Sequence, residues 1–115
     1  MNFKQLKLMS VFLLATSGSV LANDCSLPQD PIVPDGNVAS EDELIASQVA
    51  IKNYQGELAV FRDCLTDADA ALDPKDADSE ALKKATLDQY NTSVDQETKV
   101  VEEFSAAVQA FKARN

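Results

Sequence analysis

The sequence predicts an all-α fold: an antiparallel two-helix, coiled-coil-like hairpin, with an extended N-terminal strap disulfide-linked to helix one. Three observations predict it. Leu44, Ile51, Leu58, Leu65 and Leu72 recur seven apart, and Ser47, Tyr54, Phe61 and Ala68 fill the alternate positions, so the spacing is 3 and 4 throughout. A second seam, Leu87, Tyr90, Val94, Glu97, Val101, Phe104, Val108 and Phe111, repeats that spacing after a break at Asp73-Pro74. Finally, the two cysteines, Cys25 and Cys64, allow only one intramolecular bridge.

Residues 1–22 read as an export leader. Lys4 and Lys7 make a basic start and Leu8 to Ala15 an apolar run. Val20 and Ala22 fit a signal-peptidase site, which places the cut between Ala22 and Asn23. The run falls short of the ~20 residues that span a bilayer. The expected address is therefore periplasmic or secreted, with no stable membrane insertion once the leader is removed. Disulfides persist in such compartments. Cys25 is not a lipid-anchor cysteine, because Asn23 and Asp24 separate it from the cut.

Removal of the leader leaves 93 of the 115 residues, enough for one small domain. Eight basic and nineteen acidic residues remain, a net charge of about −11. Such a surface repels phosphate backbones and anionic lipid and favours solubility. Nucleic acid is thereby disfavoured, while a basic protein partner is compatible.

Residues 23–39 form the proline-rich strap. Pro28, Pro31 and Pro34 exclude a helix, and their spacing of three matches the polyproline II repeat. Asp35-Gly36 reads as a turn. Ser40 with Glu43 three residues later is a capping-box pattern that opens helix one, about 40–72. Glu41, Asp42 and Glu43 suit the positive end of the helix dipole. Gly56 lies on the face opposite the seam. Residues 73–78 make an acidic loop. Asp78 or Ser79 can cap helix two, about 79–114, and the hairpin occupies 40–115.

The seams predict a register. If facing residues sum to 151–152, Phe61 meets Tyr90, Leu58 meets Val94, Ile51 meets Val101, Ser47 meets Phe104 and Leu44 meets Val108. Glu97 falls opposite Tyr54, whose phenol can donate to the carboxylate. The strap can be placed by reach. Cys64 lies about 36 Å along helix one. The chain from Cys25 to Ser40 spans about 46 Å when extended. A bridge thus requires the strap to run back along helix one, over the flank at Ala46, Ala50, Val60 and Cys64. The bridge closes a loop of about 40 residues, a stabilisation of about 3–4 kcal/mol on the entropy model.

The chemistry is sparse. There is no histidine, so the commonest general base and metal ligand is missing. Bridged cysteines are not nucleophiles, and no serine has an activating base near it in sequence. No catalytic, cofactor-binding or metal-ligating residue is assigned, and the protein is read as not an enzyme. The acidic tip, from Asp63 to Glu80, carries carboxylates of the type that bind calcium, but its spacing is not that of an EF-hand loop. The aromatic residues lie on the seams and read as core. Ile45 and Val49 fall on the outer face of helix one and are the candidate partner contact.

Cys25, Pro28, the Pro31-to-Gly36 run, Ala39-Ser40 with its acidic cap, Tyr54, Cys64-Leu65, Tyr90-Asn91, Val94-Asp95, Phe104 and the stretch Val108 to Arg114 together resemble a group of small exported periplasmic α-helical proteins of proteobacteria. That group has a Cys/Pro-rich N-terminal segment and no assigned function. The resemblance implies the fold and the compartment, with no catalytic residue or cofactor. The expected role is a non-enzymatic periplasmic protein-binding or scaffold module, monomeric or homodimeric. The alternatives are a stress-related holdase chaperone and, less favoured, an acidic metal-binding envelope protein.

Overall fold

The computed structural model describes residues 24–115. The leader and its cut lie outside the described residues. Two helices, α1 (Glu41–Ala70) and α2 (Ser79–Ala113), pack against each other as a helical hairpin, and Cys25 is bridged to Cys64 with a Cα–Cα distance of 5.7 Å.

Local chemistry sets the helix ends. The Ser40 hydroxyl accepts from the Glu43 backbone N–H at 3.1 Å, and the Glu43 carboxylate accepts from the Ser40 N–H at 3.3 Å. The two bonds satisfy donors that a bare helix start leaves orphaned. The C-terminus of α1 lies two residues short of Leu72. Asp67 and Asp69 stand in its last turns and no basic residue does, which opposes the negative end of the dipole. The Ala71 N–H ties back to the Asp67 carbonyl and the Leu72 N–H to the Asp69 carbonyl, at 3.1 and 3.2 Å. Asp78 occupies the cap position of α2, but its side chain makes no cap bond.

Residues 24–39 contain neither helix nor strand, yet they are tied at several points. Cys25 is buried with Phe61 and Leu65. Val33 packs on two clusters: Ile51, Tyr54, Leu58 and Val100, and also Ala39, Leu44 and Ala107. It therefore touches residues of both helices. Asp35 closes a turn, with Asn37 donating to its carboxylate from backbone and side chain at 2.9 and 3.0 Å. Those bonds hold the Asp35 carboxyl below its usual range. Gly36 lies against the Ala107 backbone so closely that a Cβ would overlap it. The Ala39 carbonyl accepts from the Arg114 guanidinium, which also lies over the Phe111 ring.

The expected seam of helix two holds at Phe104 and Phe111, which pack on the core, and is corrected at Leu87, Tyr90, Val94 and Val101. α1 buries Leu44, Ser47, Ile51, Tyr54, Leu58, Phe61 and Leu65. α2 buries a different heptad: Ser79, Thr86, Ser93, Val100 and Ala107. The expected residues Leu87, Tyr90, Val94 and Val101 are instead 58, 42, 40 and 42% exposed. The rotation has a physical cause. α2 meets the N-terminal segment as well as α1, and Gly36 lies against its backbone at Ala107. Small side chains therefore turn inward, and the larger ones stand beside the groove.

Two pairings change with it. Phe61 packs with Cys25 and Leu65. The Tyr54 hydroxyl donates to Asp30 at 2.9 Å, and Glu97 accepts from Arg62. Ser47 is buried, and its hydroxyl has no hydrogen-bond partner.

Candidate interaction surface

Arg62 organises one side of the hairpin. Its Nε donates to Ser93 Oγ at 3.0 Å and its Nη1 to Glu97 Oε1 at 2.8 Å. Its guanidinium lies 5.7 Å from the Tyr90 ring centroid. One cation thus fixes a hydroxyl, a carboxylate and an aromatic face of α2. It also neutralises the charge on Glu97, which would otherwise stand unpaired beside the apolar stripe.

The stripe Leu87, Tyr90, Val94 and Val101 borders this node. A helix turns by about 100° per residue, so the stripe lies on the flank of α2 turned away from the N-terminal segment. That segment lies instead along Glu103, Ala106, Ala107 and Ala110. By the same count, Ile45 and Val49 stand on the outer face of α1, turned away from α2 and apart from this stripe, where they are 52 and 54% exposed. The flank is also depleted of acid. Between Lys83 and Lys112 its uncharged outer edge is Asn91, Thr98 and Ser105, and its only acidic side chain is Glu97, held by Arg62. Asp88, Asp95, Glu102 and Glu103 point elsewhere around α2. Near the loop end, Leu65, Thr66, Lys83, Thr86, Leu87 and Tyr90 line an open hollow of about 350 Å³, to which α1 also contributes the acidic Asp69.

Ile45 and Val49 were legible from the sequence as outward-facing. The α2 stripe was not, because its heptad spacing reads as core. Arg62 was also missed. The available signal was Glu97, a carboxylate at a seam position that requires a cation nearby.

Among the described residues, no three cysteine or acidic side chains gather into a group that could hold a metal ion, and no helix is long and apolar enough to cross a membrane. No family model, curated protein or solved structure matches the chain.

Proposed function

We propose that the protein is a non-enzymatic protein-binding or scaffold module of the periplasm that engages its partner through the face bearing Leu87, Tyr90, Val94 and Val101. In this reading the hairpin is an antiparallel coiled coil, and residues 24–39 are a strap that braces it from the opposite side. The observation that carries the reading is the exposed stripe itself: four large apolar side chains at helical spacing, bordered by uncharged residues, on a strongly acidic chain. Contiguous apolar surface of this kind marks contact sites. The disulfide supports an oxidising compartment.

Photocrosslinking in intact cells tests it. A photoreactive residue at position 94 or 101 should give protein adducts, and one at position 32, which is fully exposed on the other side, should not. Equal labelling from all three positions, or none, would remove the reading. The same stripe favours a second reading, a holdase chaperone, since a holdase needs exposed apolar surface. Suppression of client aggregation, lost on Val94→Asp, would select it.

A further inference from the structure

We infer that the Cys25–Cys64 bridge is a redox switch. With the bridge closed, α2 presents the stripe Leu87, Tyr90, Val94 and Val101; with the bridge reduced, α2 turns that stripe onto α1. The consequence, that only the oxidised form offers the face to a partner, rests on the protein-binding reading of that face.

α2 carries two faces that can meet α1, and Phe104 and Phe111 serve both. The face now inward completes them with Thr86, Ser93, Val100 and Ala107, and the Gln96 Oε1 beside it is buried without a hydrogen-bond partner. The other face completes them with Leu87, Tyr90, Val94 and Val101, all exposed. The two centres lie about 50° apart around the helix, half of one residue's turn. Burial favours the second face, since large apolar side chains gain more than hydroxyls on leaving water.

The N-terminal segment holds α2 off that face by occupying the partners it would take. Cys25 packs with Phe61, which faces Tyr90 in the alternative setting. Asp30 accepts from the Tyr54 hydroxyl, where Glu97 would accept instead. Val33 packs on Ile51, Tyr54, Leu58 and Val100, and Gly36 lies against the Ala107 backbone. Residues 24–39 have no helical or strand bonding of their own, so the covalent link is what keeps them at high local concentration over α1.

The bridge is within reach of a reductant. Cys64 is half-buried, and the cystine lines an open hollow of about 490 Å³ with Leu27, Pro28, Glu57 and Val60. A dithiol supplies the two electrons. One of its thiolates attacks the Cys64 Sγ, forms a mixed disulfide and expels Cys25 as a thiolate, which takes up a proton. Its second thiol, as the thiolate, then displaces Cys64, which takes up the other proton, and the reductant leaves as a disulfide. The freed segment withdraws from Phe61 and Tyr54, and α2 turns.

The test is solution NMR on protein made from the full 115-residue sequence, oxidised and then held in a dithiol reductant, with a neutral gadolinium chelate reporting side-chain exposure. On reduction, relaxation enhancement at Leu87, Tyr90, Val94 and Val101 should fall and that at Val100 and Ala107 should rise. Ile45 and Val49, on the outer face of α1, should stay constant. Helicity should be retained, and reoxidation should restore the first pattern. The double variant Cys25→Ser, Cys64→Ser should show the reduced pattern without reductant. An unchanged pattern on reduction, or a loss of helicity, overturns the switch. An unchanged pattern together with position-94 adducts in cells overturns the switch and leaves the protein-binding reading standing. The reduced pattern with no adduct from position 94 supports the switch and removes that reading.

Discussion

Tyr54 joins two parts of the molecule through one hydroxyl. Its ring sits in the core with Ile51, Leu58 and Val100, and its O–H donates to Asp30 in the N-terminal segment. Burial, then the bond to Asp30, then the charge of Asp30 all push its pKa well above the ordinary 10.0. A raised folded pKa gives stability that is complete below the unfolded value and declines above it. Unfolding midpoints should therefore hold steady up to about pH 10 and fall beyond it, and in Tyr54→Phe that alkaline decline should be reduced. At neutral pH the same substitution should cost about 1–2 kcal/mol, because the acceptor is a carboxylate. Denaturant titration of both proteins across that pH range checks this. The sequence placed Tyr54 correctly at a seam position of α1, since heptad spacing reports burial. The partner of its hydroxyl was not legible. The expected register set it opposite Glu97, and the actual partner, Asp30, depends on the path of a segment with no periodic pattern.

Among the elements, α1 follows its sequence closely. Its capping box and the buried run from Leu44 to Leu65 follow from local rules that need no third element. α2 departs because it carries two competing heptads, one of large apolar residues and one of mostly small residues, displaced by a single position. A two-body pairing favours the large one. The third body, residues 24–39, reverses the choice through close approach at Gly36. A pair of glycine substitutions separates the two roles of that residue type. No glycine among the described residues has positive φ, so Gly36 is needed for space alone. Gly36→Ala must displace the Ala107 backbone and should cost about 1–3 kcal/mol. Gly56 sits inside α1 with open space around its Cα, so Gly56→Ala should gain about 1 kcal/mol of helix propensity. Thermal unfolding of the two variants should shift in opposite directions; a neutral Gly36→Ala would mean that the segment does not hold α2 in its rotated position.

At the scale of the whole chain, two helices with one buried stripe each make a small core, and such cores are marginal. The bridge offsets this by restricting the unfolded chain. Reduction should lower unfolding stability by about 3–4 kcal/mol, and proteolysis within residues 26–34 should quicken before either helix is cut. An unchanged midpoint on reduction would mean that the packing of Val33 and Tyr54 already holds the segment without help. The same bridge decides how the molecule answers a pull on its two ends. Cys25 lies near the start of the described chain, so tension passes through the sulfurs to Cys64, 39 positions further on, and bypasses the loop between them. That loop holds most of α1 and the Asp30–Tyr54 contact, and about 130–140 Å of contour length stays locked inside it while the thiols remain joined. Force can then only strip α2 away and unravel the tail of α1 beyond Cys64. Oxidised, the protein is a short tether with a shielded ring; reduced, it becomes an extensible one.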